Sequence, residues 1–265
     1  MTTTPTSEPP SRPENHPNYH YLRLARANTV LTEASQETYA SLISTLNANA
    51  IMCVHGGVGL GKTFAVNSHL DELAPHNTLR LKLSSSSLEE IRTALHQRLA
   101  LPGDPPGKAA RSKAMIKAAL SEGPHVLVLD EAQWLDTRAF EFFRELWDDE
   151  DTNLTVVLVG AESCYQKIKN RPALESRIFA WQRYKPLTPT EVLTSIPCYH
   201  PIWAEVPTDD FLWIDDLACH GNFRRWAKIT YHLQEAMTSP PYPAYSRDLV
   251  RAVLSRLDPT IRNTD

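Results

Sequence analysis

The sequence predicts an α/β fold, a five-stranded parallel sheet flanked by helices, followed by a small all-helical domain. Three observations predict it. Short apolar runs of buried-strand type recur through the first two thirds of the 265 residues. Stretches with apolar residues at helical spacing lie between them. From about residue 186 the strand signals stop and helical ones continue.

The elements follow in order. Residues 1–17 hold five of the twenty prolines among Thr, Ser, Glu and Asn, and read as a disordered tail. Tyr39, Leu42, Ile43 and Leu46 mark a first helix, and Ile51-Met52-Cys53-Val54 a buried strand. Four of the nine glycines (Gly56, Gly57, Gly59, Gly61) fall within the next few residues, and a helical pattern begins at Lys62. Strand, glycine loop and helix make the first half of a βαβ unit. Leu79 to Leu83 alternates, as an edge strand does. Val126–Leu129 and Thr155–Val159 are continuously apolar, as central parallel strands are, and Ile178 to Tyr184 is a fifth strand. Phe140, Phe143 and Trp147 share one helix face. Thr188-Pro189-Thr190-Glu191 is a capping box with Pro at the first helical position, and further helices are expected near 208–219, 222–237 and 246–257. The chain therefore divides into a tail (1–17), an α/β core (18–185), a helical lid (186–258) and a second tail (259–265).

Composition bounds the function. Apolar residues make up 42% and charged residues 22%, enough for a sizeable core. No apolar run reaches the ~18 residues of a membrane span, and the N-terminus lacks the apolar region of a secretory signal. The four cysteines are read as reduced thiols of a cytoplasmic protein. A net charge of −4 argues against coating nucleic acid by charge alone, though not against a local basic surface.

Gly56-Gly57-Val58-Gly59-Leu60-Gly61-Lys62-Thr63 fits G-x-x-x-x-G-K-[ST] in full. Its glycines let backbone N–H groups turn inward around a phosphate, and the helix that follows adds its positive end. Lys62 reaches the β- and γ-phosphates and the Thr63 hydroxyl ligates Mg²⁺. The fold is thus a P-loop NTPase. Asp130-Glu131 closes the third strand 68 residues after Lys62. The first acid is placed to hold Mg²⁺ and the second to polarise a water for attack on the γ-phosphate. The expected ligands are ATP and Mg²⁺, and the expected reaction is ATP hydrolysis.

Together these features resemble an AAA+ ATPase. The run Val126-Leu-Val-Leu-Asp-Glu-Ala-Gln133-Trp-Leu135 resembles the "DEAQ-x-L" Walker B of the MuB/TnsC/TniB-type transposition ATPases and the related ExeA-like ATPases. Ala27 to Thr32 and Val157 to Gly160 also resemble that group. The resemblance implies an arginine finger in Leu174-Glu-Ser-Arg177, with Arg177 as the candidate and Arg171 as runner-up. It implies a nucleotide-contacting lid arginine in Gly221-Asn-Phe-Arg224, with Arg225 as the alternative. The polar residue expected just after the fourth strand is missing, since Gly160 is followed by Ala161. Glu162 is the candidate for that role.

Cys198-Tyr-His200 and Cys219-His220 match no common zinc spacing, and Trp203, Phe211 and Trp213 read as a helical-domain core. Lys108, Arg111, Lys113 and Lys117 lie in a stretch, 105–117, without an acid. Such a run is ordinarily a solvated face. Multiplied in a ring or filament it becomes a groove for double-stranded DNA, bound through phosphates without regard to sequence. The resemblance then implies a homo-oligomer that assembles with ATP, binds DNA and regulates a transposase. A helicase loader, an ExeA-like assembly factor, or a nucleotide-gated binding module with little turnover are the competing readings.

Overall fold

A computed structural model describes residues 20–240 and 244–257. The two tails read from the sequence (1–17 and 259–265) lie outside these residues. Thr32 caps the first helix, α1 (Glu33–Asn47), by accepting from the Ser35 amide at 3.2 Å. It leads into β1 (Ile51–Gly56), the glycine loop and α2 (Lys62–Leu73). β2 (Thr78–Lys82), α3 (Leu88–Arg98), α4 (Ala109–Leu120) and β3 (His125–Asp130) follow. Next come α5 (Thr137–Trp147), β4 (Leu154–Gly160), α6 (Glu162–Lys169), α7 (Pro172–Glu175) and β5 (Ile178–Tyr184).

The sheet runs β2-β3-β4-β1-β5 and every pairing is parallel. All residues of β1 and β4 are buried because both faces are covered. Period-two geometry sends Ile51, Cys53, Leu127, Leu129 and Leu158 to one face, where they meet Ile91, Leu95, Ile116, Phe140 and Phe143. Met52, Val54, Val128, Val157 and Val159 go to the other, against Leu42, Val66 and Leu70. β2 and β5 are the edges, as the alternating pattern of 79–83 predicts for the first.

The helical part begins at α8 (Pro189–Tyr199), whose capping box forms as expected. Glu191 N–H donates to Thr188 Oγ1 at 3.2 Å and Thr188 N–H to Glu191 Oε2 at 2.9 Å. α9 (Thr208–Ile214) continues into a single π-helical turn, Asp215–Cys219, then α10 (Phe223–Thr238) and α11 (Arg247–Leu257). Trp203, Phe211 and Trp226 form the centre of this core. Trp213 lies at its margin under Arg247 and Arg251. The π turn is held by Asp215, whose Oδ1 accepts from Gly221 N–H at 2.8 Å and Trp226 Nε1–H at 2.9 Å. That arrangement turns the chain so that α10 starts against the glycine loop.

Candidate nucleotide site

The carboxyl ends of β1, β3 and β4 converge where a parallel sheet places its ligands. Register sets His55 beside Gly160 and Asp130 beside Val159, so the glycine loop and the acid pair share one end. A cavity of about 310 Å³ opens there, of ligand size. Its floor is Gly59 to Ala65 together with Asp130 and Glu131, and Lys82, Gly160 and Ala161 complete it.

Lys62 is buried, and its Nζ donates to the Gly56 carbonyl at 3.0 Å and the Gly57 carbonyl at 2.6 Å. Burial pulls its ammonium below the ordinary lysine range, while Glu131 and Asp130 oppose that shift. Thr63 Oγ1–H donates to Asp130 Oδ1 at 3.0 Å, and the Glu131 amide donates to the same oxygen at 3.0 Å. Burial raises the Asp130 carboxyl above its usual range and these two donors hold it back. A hydroxyl and a carboxylate in contact, both hard oxygen donors, suit Mg²⁺. Glu131 stands in the left-handed region at φ 61°, ψ 37°. Strain of this kind in a non-glycine residue marks a position that its surroundings over-determine.

The lid touches the glycine loop directly. Arg224 N–H donates to the Gly59 carbonyl at 2.9 Å and Asn222 Nδ2 to the Val58 carbonyl at 2.8 Å. Gly59 has φ 81°, and a Cβ there would meet Asn222 Oδ1 at 2.5 Å and Arg224 Cβ at 2.9 Å. Only glycine fits between loop and lid. Arg224 lines the cavity, its guanidinium over the Tyr21 ring, whereas Arg225 turns away to the Ala218 carbonyl.

Opposite the acids the cavity is walled by rings. His20 lies 4.7 Å from Phe64 and 5.9 Å from Tyr199, and Tyr199 meets Phe223 edge-on at 5.0 Å. Tyr21, Val30 and Ala227 complete this apolar, ring-lined part of the cavity. Sequence reasoning missed this wall. Phe223 sits inside the Gly221–Arg224 stretch it singled out, but His20, Tyr21, Tyr199 and Ala227 carry no local signal.

Other expected site residues lie elsewhere. Glu162, expected beside the nucleotide, does not line the cavity. It opens α6, where an acid suits the helix dipole, and faces His55 Nδ1 at 3.2 Å and Arg183 at 3.4 Å. The Gln133 amide takes the space next to Gly160 instead. Arg177 lies outside this cavity, with Nε on Asp148 Oδ1 at 2.7 Å and Nη1 on the Ala173 carbonyl at 2.6 Å. Arg171 reaches Thr137 and packs over Phe140. Lys108 and Arg111 are exposed at the head of α4, but Lys113 is ion-paired with Glu145 and Lys117 with Asp149. The acid-free stretch of sequence is therefore not acid-free in space, because α5 and the turn after it lie alongside. Cys198 is exposed and Cys53, Cys164 and Cys219 are buried, all as thiols.

The protein family described as AAA domain matches residues 46–168, which hold the glycine loop, the acid pair and Gly160. The chain carries an AAA ATPase domain. This domain resembles that of the MuB-type transposition proteins. Mu-like prophage FluMu DNA transposition protein B of Haemophilus influenzae is 28% identical over 138 residues, 52% of this chain and 47% of that protein. The chain thus matches about half the length of this relative. Among solved structures, Pyrobaculum aerophilum Cdc6p superposes with a TM-score of 0.70 at 17% identity, covering 86% of this chain and 69% of that one. The Aeropyrum pernix ORC1 protein, solved in complex with DNA, gives 0.69 at 14% identity over 87% and 67%. Thermotoga maritima RuvB gives 0.59 at 16% over 89% and 72%. These likenesses establish the fold, from sheet to helical lid. Among the described residues no helix is long and apolar enough to cross a membrane.

Proposed function

We propose that the chain is a cytoplasmic, ATP-dependent DNA-binding AAA+ ATPase that assembles into a homo-oligomer with ATP and regulates a transposase. The observation that carries the nucleotide reading is the single cavity joining Lys62, Thr63, Asp130 and Glu131 on one side to Arg224 and a ring-lined slot on the other. In this reading the base enters between Tyr199, Phe223 and His20. The triphosphate lies along the loop, where amides of residues 57–63 and the Lys62 ammonium meet its charge. Mg²⁺, held by Thr63 and Asp130, would neutralise the charge that develops between the β- and γ-phosphates. Glu131 orients and polarises the attacking water, and Arg224 brings positive charge from the lid. Arg177 of one subunit serves the γ-phosphate of its neighbour, released from Asp148 when subunits pack. Arginine suits that role because its charge is permanent and its fork matches phosphate oxygens.

The likeness to a transposition protein supports the transposase client, and a neighbour of the same fold solved with DNA supports duplex binding. Lys108 and Arg111 are the first phosphate contacts, and Lys113 and Lys117 join them by exchanging Glu145 and Asp149 for DNA phosphates. Because such contacts carry no base code, affinity is nearly independent of sequence and falls steeply with salt. The test is fluorescence anisotropy of a labelled duplex with ATP, ADP and no nucleotide. Binding with ATP alone is expected. Equal binding in all three states, or none in any, removes the DNA reading and promotes an assembly factor with another client.

A further inference from the structure

Gln133 sits two residues beyond Glu131, in the 3₁₀ turn Ala132–Trp134, and its side-chain amide makes two bonds of opposite sense. Its Nε2–H donates to Glu131 Oε2 at 2.5 Å, and its Oε1 accepts from the Ala161 amide at 3.0 Å. The chemistry fixes the amide's orientation, since a carboxylate needs a donor and a backbone N–H needs an acceptor. The backbone of the turn is also held, because Lys167 Nζ donates to the Gln133 carbonyl and to the Leu135 carbonyl at 3.3 Å. Gly160 leaves the room required. A Cβ there would come within 3.1 Å of Gln133 Oε1 and 2.7 Å of Cys164 Cβ. Gln133 does not line the cavity, whereas Glu131, Gly160 and Ala161 do.

We propose that Gln133 is the positioning residue for Glu131: its amide spans from the end of β4 to the Walker B carboxylate and fixes that carboxylate against the water to be activated. The chain has no polar side chain at Gly160 or Ala161, so the link between β4 and the acid comes from the Walker B turn itself. A carboxylate on a left-handed residue, with only its own rotamers to place it, would sample several directions. One charge-assisted bond to an amide that is itself anchored selects one of them. The inference rests on the reading of Glu131 as the group that polarises water.

Three variants test it, through kcat, KM and equilibrium affinity for ADP. Gln133→Met keeps the length and most of the volume while removing both bonds. It should lower kcat by about tenfold to a hundredfold, the range for a hydrogen bond to a charged group, with KM and ADP affinity within about twofold. Gln133→Glu keeps the acceptor for Ala161 but turns a donor into a like charge beside Glu131, and should lose at least as much kcat. A glutamine that merely ties α6 to the turn would leave Gln133→Glu active, and that result overturns the proposal. Glu131→Gln with Gln133→Met should be no slower than Glu131→Gln alone, because a residue acting through another adds nothing once that one is gone. Additive losses overturn the proposal, as does a parallel loss of kcat and ADP affinity. So does failure of both Gln133 variants to fold, which would make the amide structural. Wild-type turnover in Glu131→Gln alone would instead bring down the underlying reading, and that variant reports it separately.

Discussion

The two ends of the nucleotide cavity are built on different principles. The phosphate end is made of backbone and of side chains close in sequence: eight consecutive residues of the glycine loop and the adjacent pair Asp130-Glu131. The base end is made of side chains drawn from His20, Phe64, Tyr199, Phe223 and Ala227, which meet only when the segment before α1, the core and the lid have packed. A function carried by backbone amides demands a fixed local conformation and leaves a motif. An apolar slot demands only shape, which many combinations of rings satisfy.

Lys62→Ala makes the largest break in this contrast. It should lower affinity for ATP and for inorganic tripolyphosphate alike, by about a hundredfold, since a buried charge-assisted partner is lost. Titration calorimetry with both ligands checks this. Phe223→Ala should weaken ATP by about tenfold through lost ring contact, in the range of base–aromatic stacking, and leave tripolyphosphate untouched. Equal loss of the two ligands would show that the base end is not a separate region. Arg224→Ala comes next, with about a fivefold loss for ATP and little change for ADP, because an exposed arginine is worth less than a buried one.

How much was legible follows the same division. The five strands, their parallel character and the capping box at Thr188 were all readable, because apolar runs and cap chemistry act over short stretches. The strand order was not, since nothing in Ile51–Val54 says that it lies between the fourth and fifth strands. Glu162 shows where local reading stops. It follows β4 at the expected place, but the first turn of α6 directs it to His55 and Arg183, and a glutamine from another loop fills the space. Lys113 and Lys117 are a second example, neutralised by acids 32 residues further along the chain.

Smaller effects sharpen the boundary between the ends. Asn222 caps α10 and ties it to the Val58 carbonyl, so Asn222→Ala should cost about 1 kcal/mol of stability in a denaturant melt. Acid should act next to the base end, at His200. His200 Nε2–H donates to the Ala25 carbonyl at 3.0 Å while its Nδ1 accepts from Ile202 N–H at 3.1 Å, an arrangement open only to the neutral ring. Burial lowers its pKa from the ordinary 6.5. Between that value and the folded one the unfolded chain binds more protons, so stability is full above pH 6.5 and declines as pH falls below it. The melting temperature should therefore drop between pH 7 and 5. His200→Gln should flatten that slope, and an unchanged slope would assign it to other groups.

The tie between loop and lid also has a consequence for synthesis. Asn222 and Val58 are 164 residues apart. At about 5–20 residues per second, the ribosome needs roughly 10–30 s between making the loop and making the residues that press on it. During that interval Gly59 has no neighbour to hold its left-handed backbone. The emerging chain thus carries its phosphate loop without its clamp, and the bond from Asn222 to Val58 is among the last contacts that a newly made molecule can form.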